Sequence, residues 1–292
     1  MVESAAGCVL VTGAAGLLGR SFVNRARQAN VPVISVVRKA RRAAANEIIH
    51  DLTDLRTPLL AAVKVQPTAV VHLAACAPPR HADNAENARL TELMDRQVAD
   101  ATRAWGARFI YASTCGLYDP IDAAWKDEAA GVDVRTPYFA AKASGEAAAL
   151  AISGIVLRIS SPFGPGMMPS LVLPRFINAA WNGGTIEVWG SGAREQDFIS
   201  VRDVSDAIFA AMHGGKSGVF NVAKSVPITM ADLAALVVDT LARGKVVKGS
   251  HADPLEGCTA RFNSAKAQRE WGWAPKHDLR EALPALVKAM RQ

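Results

Sequence analysis

A doubly wound α/β fold with a parallel sheet and a smaller C-terminal lobe is what this sequence predicts, on three observations. Through residue 160, short β-branched runs alternate with longer helical patterns. The short runs are apolar throughout rather than alternating, as strands covered on both faces are. Three glycines, Gly13, Gly16 and Gly19, fall between the first run and the first helical pattern.

Strands are expected at 8–12, 32–37, 47–50, 69–73, 108–112 and 154–159, with helices at 17–28, 55–63, 84–104 and 138–152. After Ser160 the character changes. "SSPFGPGMMPSLVLP" reads as a loop leading to a helix at 173–181, followed by a strand at 185–189, the segment "GSGAREQDF" and a helix at 204–213. Helices at 230–243, 264–271 and 279–290 complete the chain. The expected division is a parallel-sheet domain from 1–165 and 190–225, and a smaller lobe from 166–189 and 226–292. Substrate is expected in the cleft between them.

The 292 residues are 50% hydrophobic and 21% charged, a soluble globular balance. No apolar run approaches the roughly 20 residues that span a bilayer. The opening stretch has no basic segment before its apolar run, so no signal peptide is expected, and a cytoplasmic location is. Cys8, Cys76, Cys115 and Cys258 form no paired or clustered motif, which suggests neither a disulfide framework nor a metal site. A net charge of +6 points to an anionic partner. The basic residues are spread along the chain without a nucleic-acid-binding module, so a phosphorylated small molecule is expected rather than nucleic acid or membrane.

"VLVTGAAGLLGR" has the strand–turn–helix context of a dinucleotide-binding (Rossmann) turn. There the glycines allow a tight turn and close backbone approach, and the first N–H groups of the helix, at Leu17, Leu18 and Gly19, face phosphate. The second strand ends "SVVRKARR", and no carboxylate occurs from Arg20 to Asn46. An acidic residue at that end suits NAD, whereas arginine suits a 2′-phosphate. Arg38, with Lys39, Arg41 and Arg42 beside it, therefore favours NADP over NAD.

"PYFAAK" places Tyr138 and Lys142 four positions apart, on one face of a helix. An ammonium beside a phenol lowers its pKa, which would make Tyr138 an acid or base near neutral pH. His72, inside an apolar strand, reads as a satisfied core residue.

With the glycine turn and this pair in one chain, the sequence resembles the extended short-chain dehydrogenase/reductases. More narrowly, it is similar to their sugar-nucleotide epimerase/dehydratase/reductase group. The resemblance runs nearly end to end, through "TGAAGLLGR", "HDLTD", "HLAA", "YASTCGLYD", "YFAAK", "LRISSPFGPG", "GSGAREQDFISVRDV", "FNVA" and "NSAKAQREWGWAPK". It implies a catalytic Thr114–Tyr138–Lys142 site, with Ser113 the alternative hydroxyl. Thr114 would bond the substrate oxygen, Tyr138 would exchange its proton, and Lys142 would hold the nicotinamide ribose. Asp51 and Leu52 would meet the adenine, and Leu73, Ala74 and Ala75 would line the middle of the cofactor. Substrate would meet Thr114, Ser161, Arg194 and Gln196, with Arg194 a candidate for a diphosphate. The family often dimerises through a four-helix face, here 84–104 and 138–152.

Departures narrow the chemistry. The group's dehydratases carry Asp-Glu after the Thr, and its decarboxylases keep the Glu; here the positions are Cys115 and Gly116. A cysteine used in the group for epimerising a keto-sugar is absent too, since its position is Gly116. What remains is an NADP-dependent reduction of a keto group, with an NAD-dependent nucleotide-sugar 4-epimerase as the alternative. A catalytically silent NADP-binding sensor or scaffold is the alternative of another class, although such relatives usually lose the Tyr or the Lys.

Overall fold

The computed structural model describes residues 7–39, 46–78 and 81–291. The chain opens with β1 (Val9–Thr12), α1 (Leu17–Gln28), β2 (Val33–Val37), β3 (Glu47–Ile49), α2 (Leu59–Ala62), β4 (Ala69–His72) and α3 (Ala85–Trp105). It continues through β5 (Arg108–Thr114), a 3₁₀ turn at Cys115–Leu117, α4 (Pro137–Ala151), β6 (Ile155–Ile159), β7 (Ser161–Phe163), α5 (Val172–Trp181) and β8 (Thr185–Val188). The last part comprises β9 (Glu195–Ser200), α6 (Val201–His213), β10 (Gly218–Val222), β11 (Pro227–Thr229), α7 (Met230–Leu241), β12 (Lys245–Lys248), α8 (Ala265–Trp271) and α9 (Leu279–Met290).

Seven strands form one sheet in the order β10-β6-β5-β4-β1-β2-β3, and every pairing in it is parallel. The fold is thus the doubly wound α/β architecture the apolar strand runs imply. β1, β4 and β6 are buried end to end because helices cover both faces. α1 buries Gly19, Phe22, Val23 and Ala26, a helical stripe that packs with α6 on one face. α3 and α4 cover the other, burying Met94, Val98, Trp105 and Ala149 against Phe109 and Val156. The strand order reverses between β1 and β4, which opens a crevice at their C-terminal ends.

A third core joins α5, α7 and α9 to β8 and β9 through Leu173, Ile177, Phe198, Leu233 and Leu283. The 264–271 segment behaves differently from its sequence neighbours. Ala267 of α8 and Trp273 bury themselves in the sheet-side core. Asp203 of α6 accepts bonds from the backbone N–H groups of Lys276 and His277, which pins that segment to the nucleotide-side unit.

Three expectations shift on local grounds. The helix expected at 55–63 shortens to Leu59–Ala62 because Pro58 caps it, and a proline disfavours helical geometry at the preceding Thr57. The helix expected from 204 starts at Val201, where the Ser200 hydroxyl accepts from Arg202 N–H. The short strands β7, β11 and β12 sit in two small side sheets and carry no clear period of their own. Among the described residues, no helix is long and apolar enough to cross a membrane.

Candidate active site

The crevice is built from strand ends. After β1, Gly13 takes φ +64°, and a Cβ there would lie 2.7 Å from the backbone of Leu73 and Ala74. Gly16 caps α1, its N–H donating to Gly13 O at 2.9 Å. A Cβ on Gly19 would come within 2.2 Å of Gly13 O, so only glycine lets the helix sit this close to the turn. No side chain caps α1, which leaves the first-turn N–H groups at Leu17, Leu18 and Gly19 available to an anion. This cradle fits the phosphates of a dinucleotide.

Arg38 and Lys39 are exposed at the end of β2, while Arg41 and Arg42 lie outside the described residues. Arg38 is close enough to Asp51 that its charge helps hold that carboxyl below its usual value, after the larger effect of Thr53. Thr53 donates to Asp51 from both its backbone N–H and its hydroxyl. Leu52 is buried next to Asp51, and Leu73, Ala74 and Ala75 line the exit of β4 half-buried. The expected cofactor residues therefore come together along one edge of the sheet.

Tyr138 and Lys142 are placed by the start of α4. Pro137 occupies the first turn, and Thr136 caps it by accepting from Phe139 N–H. The loop after β4 adds a second cap, since Asp83 Oδ1 accepts from Tyr138 N–H at 2.8 Å. Thr114 ends β5, half-buried, its hydroxyl accepting from Gly116 N–H at 3.0 Å. Ser113 turns the other way: it is buried, and its hydroxyl donates to Glu146 Oε1 at 2.5 Å. Of the two hydroxyls, that of Ser113 is taken up by Glu146, and that of Thr114 is the half-buried one at the strand end.

The charge state of Tyr138 corrects the expectation from sequence. Its phenol is pushed up to about 12 by burial and by the negative charges of Asp95 and Asp83. Lys142 does not lower it, because its ammonium lies over the Tyr111 ring, 4.2 Å from the centroid. Burial lowers the Lys142 pKa, and Asp95 and Glu146 partly restore it.

On the substrate side, Gln196 Nε2 donates to Ser161 Oγ at 2.7 Å, which joins two expected residues. Gln196 Oε1 is buried with no partner among the described residues. Arg194 is drawn away from the part expected of it, since its Nε donates to Asp253 at 2.7 Å and that carboxylate offsets its charge. Cys115 is 2% exposed, its thiol donating to Arg158 O at 3.1 Å and pushed up by burial. Gly116 packs against the Phe139 ring.

Several residues of the site escape the sequence reading. Asp95 lies on the buried stripe of α3 between Met94 and Val98, and a carboxylate in such a stripe is itself the signal. Arg158, in the apolar strand "IVLRI", pairs with Glu146 at 2.7 Å, both of them buried.

The pattern of the NAD dependent epimerase/dehydratase family matches residues 9–223. A dTDP-glucose 4,6-dehydratase of Streptomyces niveus is 27% identical, over 97% of this chain and 92% of its own. UDP-glucuronic acid decarboxylase 4 of Arabidopsis thaliana is 26% identical, over 97% of this chain and 68% of its own. Among solved structures, MoeE5 in complex with UDP-glucuronic acid and NAD is 25% identical with a TM-score of 0.85, covering 98% of this chain and 99% of its own. The UDP-glucose 4-epimerase of Thermotoga maritima, at 24% identity and a TM-score of 0.86 over 97% of this chain and 98% of its own, shares the fold.

Proposed function

The chain belongs to the NAD dependent epimerase/dehydratase family, and on that premise we propose that it is an NADP-dependent oxidoreductase reducing a keto group on a nucleotide-linked sugar. The observation that carries the choice of reaction is the pair that follows Thr114. Cys115 is buried with its thiol protonated and bonded to a backbone carbonyl, and Gly116 has no side chain. Neither position offers a carboxyl group to eliminate water or to steer a carboxylate.

Simple reduction needs less: a hydroxyl to bind the substrate oxygen and a proton donor beside it. Thr114 supplies the first. Tyr138 supplies the second, and a phenol with its pKa near 12 holds its proton at neutral pH, which suits donation to a keto oxygen. Lys142 lies buried beneath the cleft, its pKa lowered by burial and partly restored by Asp95 and Glu146, and would orient a ribose hydroxyl. A pyridine dinucleotide, when bound, supplies hydride. Gly13, Gly16, Leu17, Leu18 and Gly19 would hold its phosphates, Asp51 and Leu52 its adenine, and Leu73, Ala74 and Ala75 its middle. Arg38, at the end of β2 where no carboxylate stands, favours a 2′-phosphate and hence NADP.

The substrate class is supported by the relatives, whose names specify dTDP-glucose and UDP-glucuronic acid, and by the MoeE5 complexes with UDP-sugars. The NAD in the MoeE5 complexes supports a second reading, an NAD-dependent 4-epimerase using the same three residues.

Tyr138→Phe is expected to abolish NADPH oxidation with nucleotide-linked keto-sugars while leaving NADPH affinity within a few-fold. Unchanged turnover overturns the mechanism. The mass of any cofactor released on denaturation separates the two readings: retained NAD selects the epimerase, and an empty site that prefers NADPH selects the reductase.

A further inference from the structure

The 3₁₀ turn that follows Thr114 is too short to satisfy its own carbonyls. Cys115 O receives its bond from Tyr118 N–H at 3.1 Å, which leaves the carbonyls of Gly116, Leu117 and Tyr118 to partners from elsewhere. All three find them in the residues just ahead of α4. Asp133 N–H donates to Leu117 O at 2.6 Å. The Arg135 guanidinium takes the other two, Nη2 donating to Gly116 O at 2.8 Å and Nη1 to Tyr118 O at 3.2 Å.

Two further contacts fix that guanidinium. It lies 4.6 Å from the centroid of the Phe139 ring, and Nη1 also reaches Asp133 Oδ2 at 3.2 Å. Phe139 in turn fills the space beside Gly116, since a Cβ there would fall 2.7 Å from its ring. The result is a clasp with a site residue at each end. One end is the turn, whose Gly116 N–H donates to Thr114 Oγ1 at 3.0 Å. The other is the first turn of α4, which carries Tyr138 between Pro137 and Phe139. One lone pair of Thr114 Oγ1 is thereby committed, and the hydroxyl proton remains to be donated, in the reaction above to the substrate oxygen. A shift of Gly116 moves that hydroxyl relative to Tyr138.

We propose that Arg135 is a positioning residue: by bridging Gly116 O and Tyr118 O from the start of α4, it holds the Thr114 hydroxyl and Tyr138 in register for one substrate oxygen. The proposal rests on the catalytic reading of Thr114 and Tyr138. Arginine suits the task because its planar fork bonds two carbonyls at once, which the point charge of a lysine does not. The Arg135 side chain is 31% exposed, so replacing it leaves the cores intact.

The first readout is amide hydrogen exchange on the full chain, followed residue by residue. In Arg135→Gln the amides of Gly116 and Asp133 should exchange at least about tenfold faster, with those of Val156 and Leu157 in β6 unchanged. Thr114→Val, which removes the acceptor, marks the released rate at Gly116. Unchanged exchange at Gly116 in Arg135→Gln overturns the proposal. The second readout is NADPH-dependent turnover of UDP- and dTDP-linked 4-keto-hexoses. Arg135→Gln should lower kcat about tenfold to a hundredfold, the cost of a small misplacement, with KM and NADPH affinity within a few-fold. In the Thr114→Val background the same substitution should cost little more, because both act through one hydroxyl. Fully additive losses, or an unchanged kcat in Arg135→Gln, overturn the positioning role. Arg135→Lys carries the same expectations if the glutamine variant fails to fold. Full turnover in both Thr114→Val and Tyr138→Phe, or a parent idle on both sugars, overturns the catalytic reading instead, whereas the exchange result still decides the clasp.

Discussion

Glu146 and Arg158 are each 6% exposed, joined by bonds of 2.9 and 2.7 Å, with Ser113 donating to the same carboxylate. Removing one member of such a pair strands the other charge in a low-dielectric interior. Glu146→Gln is therefore expected to cost about 3 to 5 kcal/mol, read as a lower denaturant midpoint with the fold otherwise unchanged. Arg38 is the opposite kind of arginine, exposed at a strand end and facing the proposed 2′-phosphate site. Arg38→Asp should weaken NADPH about tenfold or more, the value of a charge-assisted contact, and barely change NADH. Equal losses in paired titrations would remove Arg38 from 2′-phosphate recognition. Arg38 and the Tyr138–Lys142 pair are legible in the sequence because their spacing to a strand end or along one helix is local. Asp95, Glu146 and Arg158 are not, because a charge becomes costly, and thus informative, only once its burial is known.

At the scale of the element, α4 shows how one glycine serves packing. Glycine in a helix interior costs roughly 0.5 to 1 kcal/mol against alanine, so Gly145 needs a reason, and the close approach of Tyr111 and Asp95 provides it. Gly145→Ala is expected to lower thermal stability despite its better helix propensity. Gly131→Ala, where an added Cβ meets nothing within 4 Å, is expected to be neutral or mildly stabilising. Thermal melts of the two variants side by side check the difference in sign. The same helix explains why the Tyr–Lys spacing read correctly as one face but misled on charge: the rotamer of Lys142 is set by Tyr111 on a strand, not by its neighbour one turn away.

Across the whole molecule, the three tyrosines link the fold to alkaline pH. Tyr118 joins the turn after β5 to β10, donating to Asn221 Oδ1 at 2.7 Å, and burial raises it to about 12. Tyr138 is raised to a similar value, and Tyr111 is raised by burial and by the carboxylate of Asp95. A folded-state pKa above the unfolded value of about 10 means that the fold binds these protons more tightly. Their contribution is complete below about pH 10 and is lost as pH rises through the folded values. Denaturant midpoints should fall steeply between about pH 10 and 12, with tyrosinate appearing as the chain unfolds. In Tyr118→Phe that fall should be shallower, and stability at neutral pH lower for want of the Asn221 bond.

Apolar runs, a glycine turn in strand–helix context and a Tyr–Lys pair one helical turn apart are local patterns. From them the sequence alone determined the doubly wound sheet, the glycine turn between β1 and α1, and the placement of Tyr138 and Lys142 on one helix. The 55–63 and 264–271 segments show where that reading stops: one is cut by the stereochemistry of Pro58, the other is recruited to the sheet by Trp273 and Asp203. Which hydroxyl Glu146 takes up, what holds Arg194, and which charges surround Tyr138 were decided by tertiary structure alone. Desolvation and Coulomb interactions depend on distances between residues far apart in the chain, and no spacing along it encodes them.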